Sequence, residues 1–268
     1  IRFLTASTAA ITFFSDIILN LFNYLRKFDS YYPKHTHLSK HQNHGNKSAT
    51  KYLTMAYKNS RSDFAYLIQL GICVFSGGAQ VITMQKTTEG TMLSWLICWW
   101  LSTAINIWLS LDSHRANGNR GSKQMLAIYS AWGVVVSLLI AVFFSQADVI
   151  WRDPDTILLS LTLVGTILGA TYIKNNKLRF DSPFARGLQS ILLRVTPQLF
   201  LCYTILTEGG DGFSIVFIVL GHIAVLTRLG VLHANKHEVA NQALRKSEIA
   251  NWITWGFLTL VWIYDKIK

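Results

Sequence analysis

The sequence predicts an all-α, polytopic membrane protein with about seven transmembrane helices. Of its 268 residues, 51% are hydrophobic and only 15% are charged, whereas soluble domains carry roughly 25% charged residues. The apolar residues also gather into segments close to the about 20 residues that a helix needs to cross the hydrocarbon core. A soluble chain of this composition would expose large apolar patches. Lipid is therefore the solvent that suits it.

Seven segments have the composition of spanning helices, the form in which a backbone satisfies its own polar groups in lipid. The fifth is the weakest, because it contains Arg194 and the pair Pro197-Gln198. The seventh is short as drawn and is expected to begin a few residues earlier. The segments are Phe64–Met84, Met92–Leu111, Met125–Phe144, Thr156–Ile173, Leu188–Leu206, Phe213–Leu232 and Trp252–Tyr264.

The first 62 residues have a different character. Residues 3–25 are apolar with a polar stripe at helical spacing, which is typical of an interfacial amphipathic helix, an extra span or a targeting segment. Residues 26–62 are hydrophilic and basic, and we expect a loosely ordered surface segment. Its histidines are better explained by a solvated basic tail near lipid headgroups than by a metal site. They are His35, His37, His41 and His44.

Charge alternates between the connections. The segments before the first span and after the second, fourth and sixth spans are basic, whereas those after the third and fifth carry Asp and Glu. The positive-inside rule then places residues 26–62 inside and the C-terminus outside. The net charge of +11 is explained by this pattern rather than by a nucleic-acid-binding face.

The chain contains one unit twice. Gly78-Ala79-Gln80 and Thr88-Glu89-Gly90 recur as Thr196-Pro197-Gln198 and Thr207-Glu208-Gly209, in each case before a helix and a basic connection. The fourth span links the copies, so the plan is 3+1+3 with parallel copies. We divide the chain into an N-terminal helix and tail (1–62), a first three-helix repeat (63–146), a linker with the fourth span (147–186) and a second three-helix repeat (187–268).

Pro197-Gln198 in a helix, followed by a Thr-Glu-Gly turn and another apolar helix, resembles the PQ-loop repeat family, which includes the SWEET sugar transporters and cystinosin. The resemblance covers most of the chain, and Ala79 stands where the family has its first proline. It implies two three-helix bundles that rock around a central site, with Pro197 as a hinge. In the sugar-transporting members of the family an asparagine lies on the third helix of each copy, a position that Asn251 matches in the second copy, whereas the first has Trp132 or a neighbour.

Polar side chains within apolar spans are the candidate substrate contacts, although each also suits a structural bond between helices. The candidates are Gln80, Asn106, Gln198, His222 and Asn251. His222, in the middle of its span, is also the candidate for proton coupling. Pro197 suits either a hinge or a static kink. Arg194 could bind an anionic group of a substrate or pair with a buried carboxylate. Because the apolar segments offer no obvious acidic partner, we expect Arg194 and Arg228 to extend toward the membrane interface.

Tryptophans are concentrated on two spans, where interface anchoring, lipid contact and stacking against a solute are all open. They are Trp95, Trp99, Trp100 and Trp108 on the second span, and Trp252, Trp255 and Trp262 on the seventh.

Enzyme motifs are absent from the sequence: it has no P-loop, GxSxG or HExxH pattern and no paired carboxylates in a span. Asp153-Pro154-Asp155 is better explained as the start of a helix than as a catalytic pair. We therefore expect a protein that is not an enzyme and needs neither cofactor nor metal.

The function expected is transport of a small polar solute, a sugar or an amino acid, by alternating access between the two bundles. The alternatives are a non-transporting structural subunit of a larger membrane complex and a receptor that uses the same cavity. The expected partners are the lipid bilayer and the solute, with a homo-oligomer or larger complex left open and no nucleic acid. The location is an integral, multi-pass position in a membrane that the sequence does not name, organelles included.

Overall fold

The computed structural model describes residues 48–117, 120–146, 151–180, 182–234 and 239–268, and within them every regular element is helical. This confirms the prediction of a polytopic all-α membrane protein. Residues 3–25 and the four clustered histidines lie outside the described residues. The helices are α1 (Ser48–Met84), α2 (Leu93–Asn117), α3 (Arg120–Ser145), α4 (Asp153–Asn175), α5 (Pro183–Ser190), a π-helical turn (Ile191–Val195) that continues into α6 (Thr196–Glu208), α7 (Ile215–Ala234) and α8 (Val239–Ile267).

Five stretches among the described residues are long and apolar enough to cross a membrane, namely Phe64–Met84, Leu93–Asp112, Lys123–Ser145, Asp153–Asn175 and Phe184–Glu208. They correspond to the first five predicted spans, including the weak fifth. The sixth appears as a shorter apolar stretch, Ile215–Gly230. The seventh lies within α8, which begins well before Trp252, as its short predicted length suggested.

The first helix begins earlier than expected. The segment 26–62 was expected to be loosely ordered, yet α1 is already helical from Ser48, and the boundary at residue 62 falls inside it. Residues 48–63 contain no proline or glycine and several strong helix formers, so the apolar span can extend N-terminally as a helix.

The packing of the helices follows one pattern in both halves. In the first half, α1 and α2 both pack on α3; in the second half, α5–α6 and α7 both pack on α8. Between the halves, α1 packs on α7, and α2 packs on the π-turn and α6. The helix between them in the chain, α4, lies against α2 and the α5–α6 segment.

Asp155 fixes α4 to the start of α2. Its side chain is 1% exposed. One carboxylate oxygen accepts hydrogen bonds from the Ser94 backbone N–H (2.8 Å) and hydroxyl (2.5 Å), and the other accepts one from the Arg152 N–H (3.2 Å). A carboxylate at the N-terminus of α2 also complements the helix dipole. The interpretation of this segment as a helix start is consistent with the position of α4, and the side chain additionally joins two helices.

Substituting Asp155→Asn should therefore destabilise the fold by about 1–3 kcal/mol, because the amide has one accepting oxygen and no charge. Thermal unfolding in detergent measures the loss. Asp153→Asn is the matched control, since Asp153 is exposed in the same helical turn. Equal shifts for the two variants would contradict the role given to Asp155.

The two Thr-Glu-Gly turns meet each other. Gly90 (φ +74°) and Gly209 (φ +98°) both have left-handed backbone conformations, and a Cβ on Gly90 would lie 2.0 Å from the Gly209 carbonyl oxygen. The Gly212 N–H donates to the Glu89 carbonyl at 2.9 Å. On the second copy's side, Trp262 donates to the Gly210 carbonyl at 3.0 Å. The halves are thus joined backbone to backbone at the end of the molecule that carries the acidic connections.

Candidate functional site

A cavity of about 90 Å³ lies between the two halves. Its lining comes from α2 and α3 of the first half and from the π-turn, α6, α7 and α8 of the second. One end of the cavity lies at Trp95 and Phe217, near the starts of α2 and α7, which follow the two Thr-Glu-Gly turns. The other end lies at Asn106 and Arg228, near the basic ends of the same helices.

Aromatic rings form the inner wall of this cavity. Trp95 and Trp99 lie 5.3 Å apart between ring centroids, Trp99 and Trp132 lie 5.5 Å apart, and Phe217 lies 5.5 Å from Trp255. All five line the cavity. Such tilted and edge-on contacts stabilise aromatic clusters beyond the area that they bury. The remaining tryptophans of the second span face outward, with Trp100 42% and Trp108 57% exposed.

Three of the predicted polar residues lie at the cavity: Asn106, Gln198 and Asn251. The Gln198 amide donates to Asn251 Oδ1 at 3.0 Å and accepts a hydrogen bond from the Thr254 hydroxyl. Asn106 donates to the Ser102 carbonyl one turn earlier in α2, at 2.8 Å. Amides in an apolar setting seek such partners, and here the partners lie around one space.

The other two predicted residues lie elsewhere. Gln80 donates to the Gly212 carbonyl at 2.7 Å and accepts from the Ser214 N–H at 3.0 Å, so its amide ties α1 to the second copy's turn. His222 Nε2 lies 2.9 Å from the Thr259 hydroxyl, between α7 and α8, and the residues lining the cavity do not include it. The structure therefore gives both residues bonds between elements, and does not bring them to the space shared by Asn106, Gln198 and Asn251.

Position 132 is also at the cavity. Trp132 on α3 and Asn251 on α8 both belong to the third helix of their copy, and both line the cavity. The first copy thus contributes an indole where the second contributes an amide.

At the basic end of the cavity, two lining arginines pair with one glutamate. Arg194 Nη1 lies 2.5 Å from Glu248 Oε1, and Arg228 Nε lies 3.3 Å from Glu248 Oε2. The Glu248 side chain is 9% exposed and each arginine side chain 21%. The three residues come from the π-turn, α7 and α8, so the cluster joins all three helical segments of the second half.

This cluster corrects the prediction for the two arginines. They were expected to extend toward the interface because the apolar segments offered no acidic partner, but Glu248 on α8 is that partner. Sequence reasoning missed it because Glu248 precedes the seventh span as drawn. A signal was present, since Glu248, Asn251 and Trp255 are spaced by three and four residues and therefore share one helix face.

The helix that carries Arg194 is irregular just before the proline. Residues Ile191–Val195 form a π-helical turn that ends two residues before Pro197, which lacks a backbone N–H. Pro197 itself is buried. Single π-turns within α-helices are frequent at functional sites, and this one places Leu193 and Arg194 at the cavity wall.

Within the described part of the chain, no group of three or more His, Cys, Asp or Glu side chains is placed to hold a metal ion. No protein-family model, curated protein or solved structure matches the sequence or its fold.

Proposed function

We propose that this protein transports a small polar solute across its membrane by alternating access between its two three-helix halves. The observation that carries the proposal is the central cavity, which receives polar side chains from both halves. A solute held there contacts two bodies that can move against each other. Many secondary transporters are built from internal repeats, with the substrate site near the midplane at the interface between the repeats.

The asymmetry of the two ends supports the same proposal. The Thr-Glu-Gly turns close the end with the acidic connections by contacts between the backbones of the two halves. The charged and amide side chains of the cavity lie toward the opposite end. Transport then requires the glycine turns to separate while the opposite ends of the halves approach, and the π-turn ahead of Pro197 supplies a point where that helix can bend.

Flux into proteoliposomes tests the proposal. Purified protein should accelerate uptake of at least one solute from a panel of radiolabelled sugars, amino acids and small organic acids. Asn106→Trp should abolish that uptake, because the indole would fill the cavity. Leu101→Trp adds the same ring to the same helix at a position that is 38% exposed, and should leave uptake intact.

A folded protein that moves none of these solutes would contradict transport and favour the second candidate, a structural subunit of a larger membrane complex. The observation that favours this candidate is the apolar groove on the outer face of α2 and α3, lined by Trp100, Ile107 and Leu138 among others. Co-purification of stoichiometric partners, lost when Gly133 at the floor of the groove is replaced by leucine, would support it.

A further inference from the structure

We propose that the cavity selects a small organic monoanion, a monocarboxylate with a compact apolar remainder. This inference rests on the proposed function and names the solute class by its charge and size.

The first feature that favours an anion is the charge of the cavity lining. Two arginines, Arg194 and Arg228, line the cavity, whereas Glu248, which pairs with both, is not part of the lining. Arginine stays protonated in proteins, so one carboxylate leaves one positive charge of the cluster uncompensated. No Asp or Glu lines the cavity among the described residues. An uncompensated charge within a membrane is costly, and a bound monoanion removes that cost.

The second feature is a pair of buried hydrogen-bond donors on residues that line the cavity. The indole N–H of Trp132 is buried without a hydrogen-bond partner, and the residue is 7% exposed. The Nε–H of Arg228 is also buried, and it lies 3.3 Å from Glu248 Oε2 in their ion pair. The Trp132 indole and the guanidinium can only donate, so a ligand that binds to them must bring acceptor oxygens. A carboxylate brings two.

The third feature is that the two donors come from different halves of the molecule. Trp132 belongs to the first half and Arg228 to the second. An anion that contacts both residues would connect the two halves. Binding would thereby favour approach of the halves, which is the motion that alternating access requires.

The volume of the cavity and its apolar walls limit the size and polarity of the remainder of the ligand. A cavity of about 90 Å³ is well below the roughly 300 Å³ at which pockets for drug-sized ligands begin. The tryptophan walls suit a short apolar or flat remainder rather than a second charged group. These constraints exclude nucleotides and oligosaccharides and favour acids with a few carbon atoms.

Binding to the full-length protein in detergent tests this inference without requiring flux. We would titrate propionate and its neutral isostere propionamide and follow the tryptophan fluorescence of the cavity, with calorimetry to confirm stoichiometry. Propionate should bind and propionamide should not. Sodium chloride and sodium phosphate form two further arms, because a guanidinium also attracts inorganic anions.

Two variants should weaken propionate binding. Arg228→Gln removes a charged donor and should raise Kd roughly 10- to 100-fold. Trp132→Phe removes the indole N–H together with part of the bicyclic ring, so Kd should rise about three- to tenfold. The control is Trp100→Phe, since the Trp100 N–H donates to Ser137 at 3.1 Å on the outer face, and its Kd should equal that of the parent. Because Trp132→Phe leaves the ion pairs of Arg194, Arg228 and Glu248 intact, it keeps the test valid if Arg228→Gln does not fold.

The outcomes separate this inference from the proposed function. Equal affinity for propionate and propionamide, tighter binding of chloride or phosphate, or a Trp132→Phe variant that matches its parent would each overturn the monocarboxylate site. Saturable propionate binding without flux would retain the site and remove transport. Flux of a neutral sugar without anion binding would do the opposite.

Discussion

Replacing Glu248 by glutamine is expected to destabilise the protein by about 3 kcal/mol, toward the lower end of the range for removing one partner of a buried ion pair because the arginines are partly exposed. The amide keeps the size of the side chain and removes its charge. Arg194 and Arg228 would then be two like charges with no compensating carboxylate. Because they anchor the π-turn and α7 to α8, the loss affects the packing of the entire second half.

Thermal or chemical unfolding of the purified variant in detergent measures this effect, and the double variant Arg228→Gln/Glu248→Gln tests its cause. Removing one arginine should recover part of the stability lost by Glu248→Gln, a coupling that a double-mutant cycle reports directly. Glu208→Gln is the matched control: Glu208 also pairs with an arginine, Arg152, but its side chain is 33% exposed. Exposed pairs contribute about 0–1 kcal/mol. Similar losses for both glutamates would show that the cluster has no special weight.

The ion pairs of Arg194 and Arg228 could not be predicted from the sequence. Hydropathy predicts the helices well, since the cost of exposing backbone polar groups to lipid acts on every residue of a span. Extension toward the interface is a sound expectation for an arginine on an isolated helix. The structure differs because a carboxylate on another helix lies within ion-pairing distance of both arginines, and such a partnership depends on the packing of α5–α8 rather than on any local pattern.

Equivalent positions in the repeat likewise have different surroundings. Gln80 and Gln198 occupy the same place in their copies, yet Gln198 lies at the cavity and Gln80 binds the backbone of the other copy's turn. Both environments satisfy a buried amide, so residue type and depth in a span do not distinguish them. Asn106, Gln198 and Asn251 could be predicted as polar groups facing a shared space. The contribution of Trp132 could not, because an indole in a membrane helix has several common uses.

The close contact between the two glycine turns leaves no room for a side chain at Gly90. Gly90→Ala should destabilise the protein by about 2–4 kcal/mol, because alanine is strained at a positive φ and its Cβ would meet the Gly209 carbonyl oxygen. That oxygen belongs to the backbone, so the conflict is relieved only by separating the turns. The end closed in this structure should then open more readily.

Two measurements on the Gly90→Ala variant distinguish opening from general loss of structure. Ser214 is 8% exposed at the closed end, so a cysteine placed there, in a chain whose Cys73, Cys98 and Cys202 are replaced by alanine, should react with a water-soluble maleimide faster when Gly90→Ala is added. Thermal unfolding should retain a cooperative transition at a lower temperature. Gly71→Ala is the control, since a Cβ at Gly71 meets no atom within 4 Å and alanine favours the helix interior. Unchanged labelling of Ser214→Cys in a Gly90→Ala protein that is folded would mean that the turns do not close this end of the pathway.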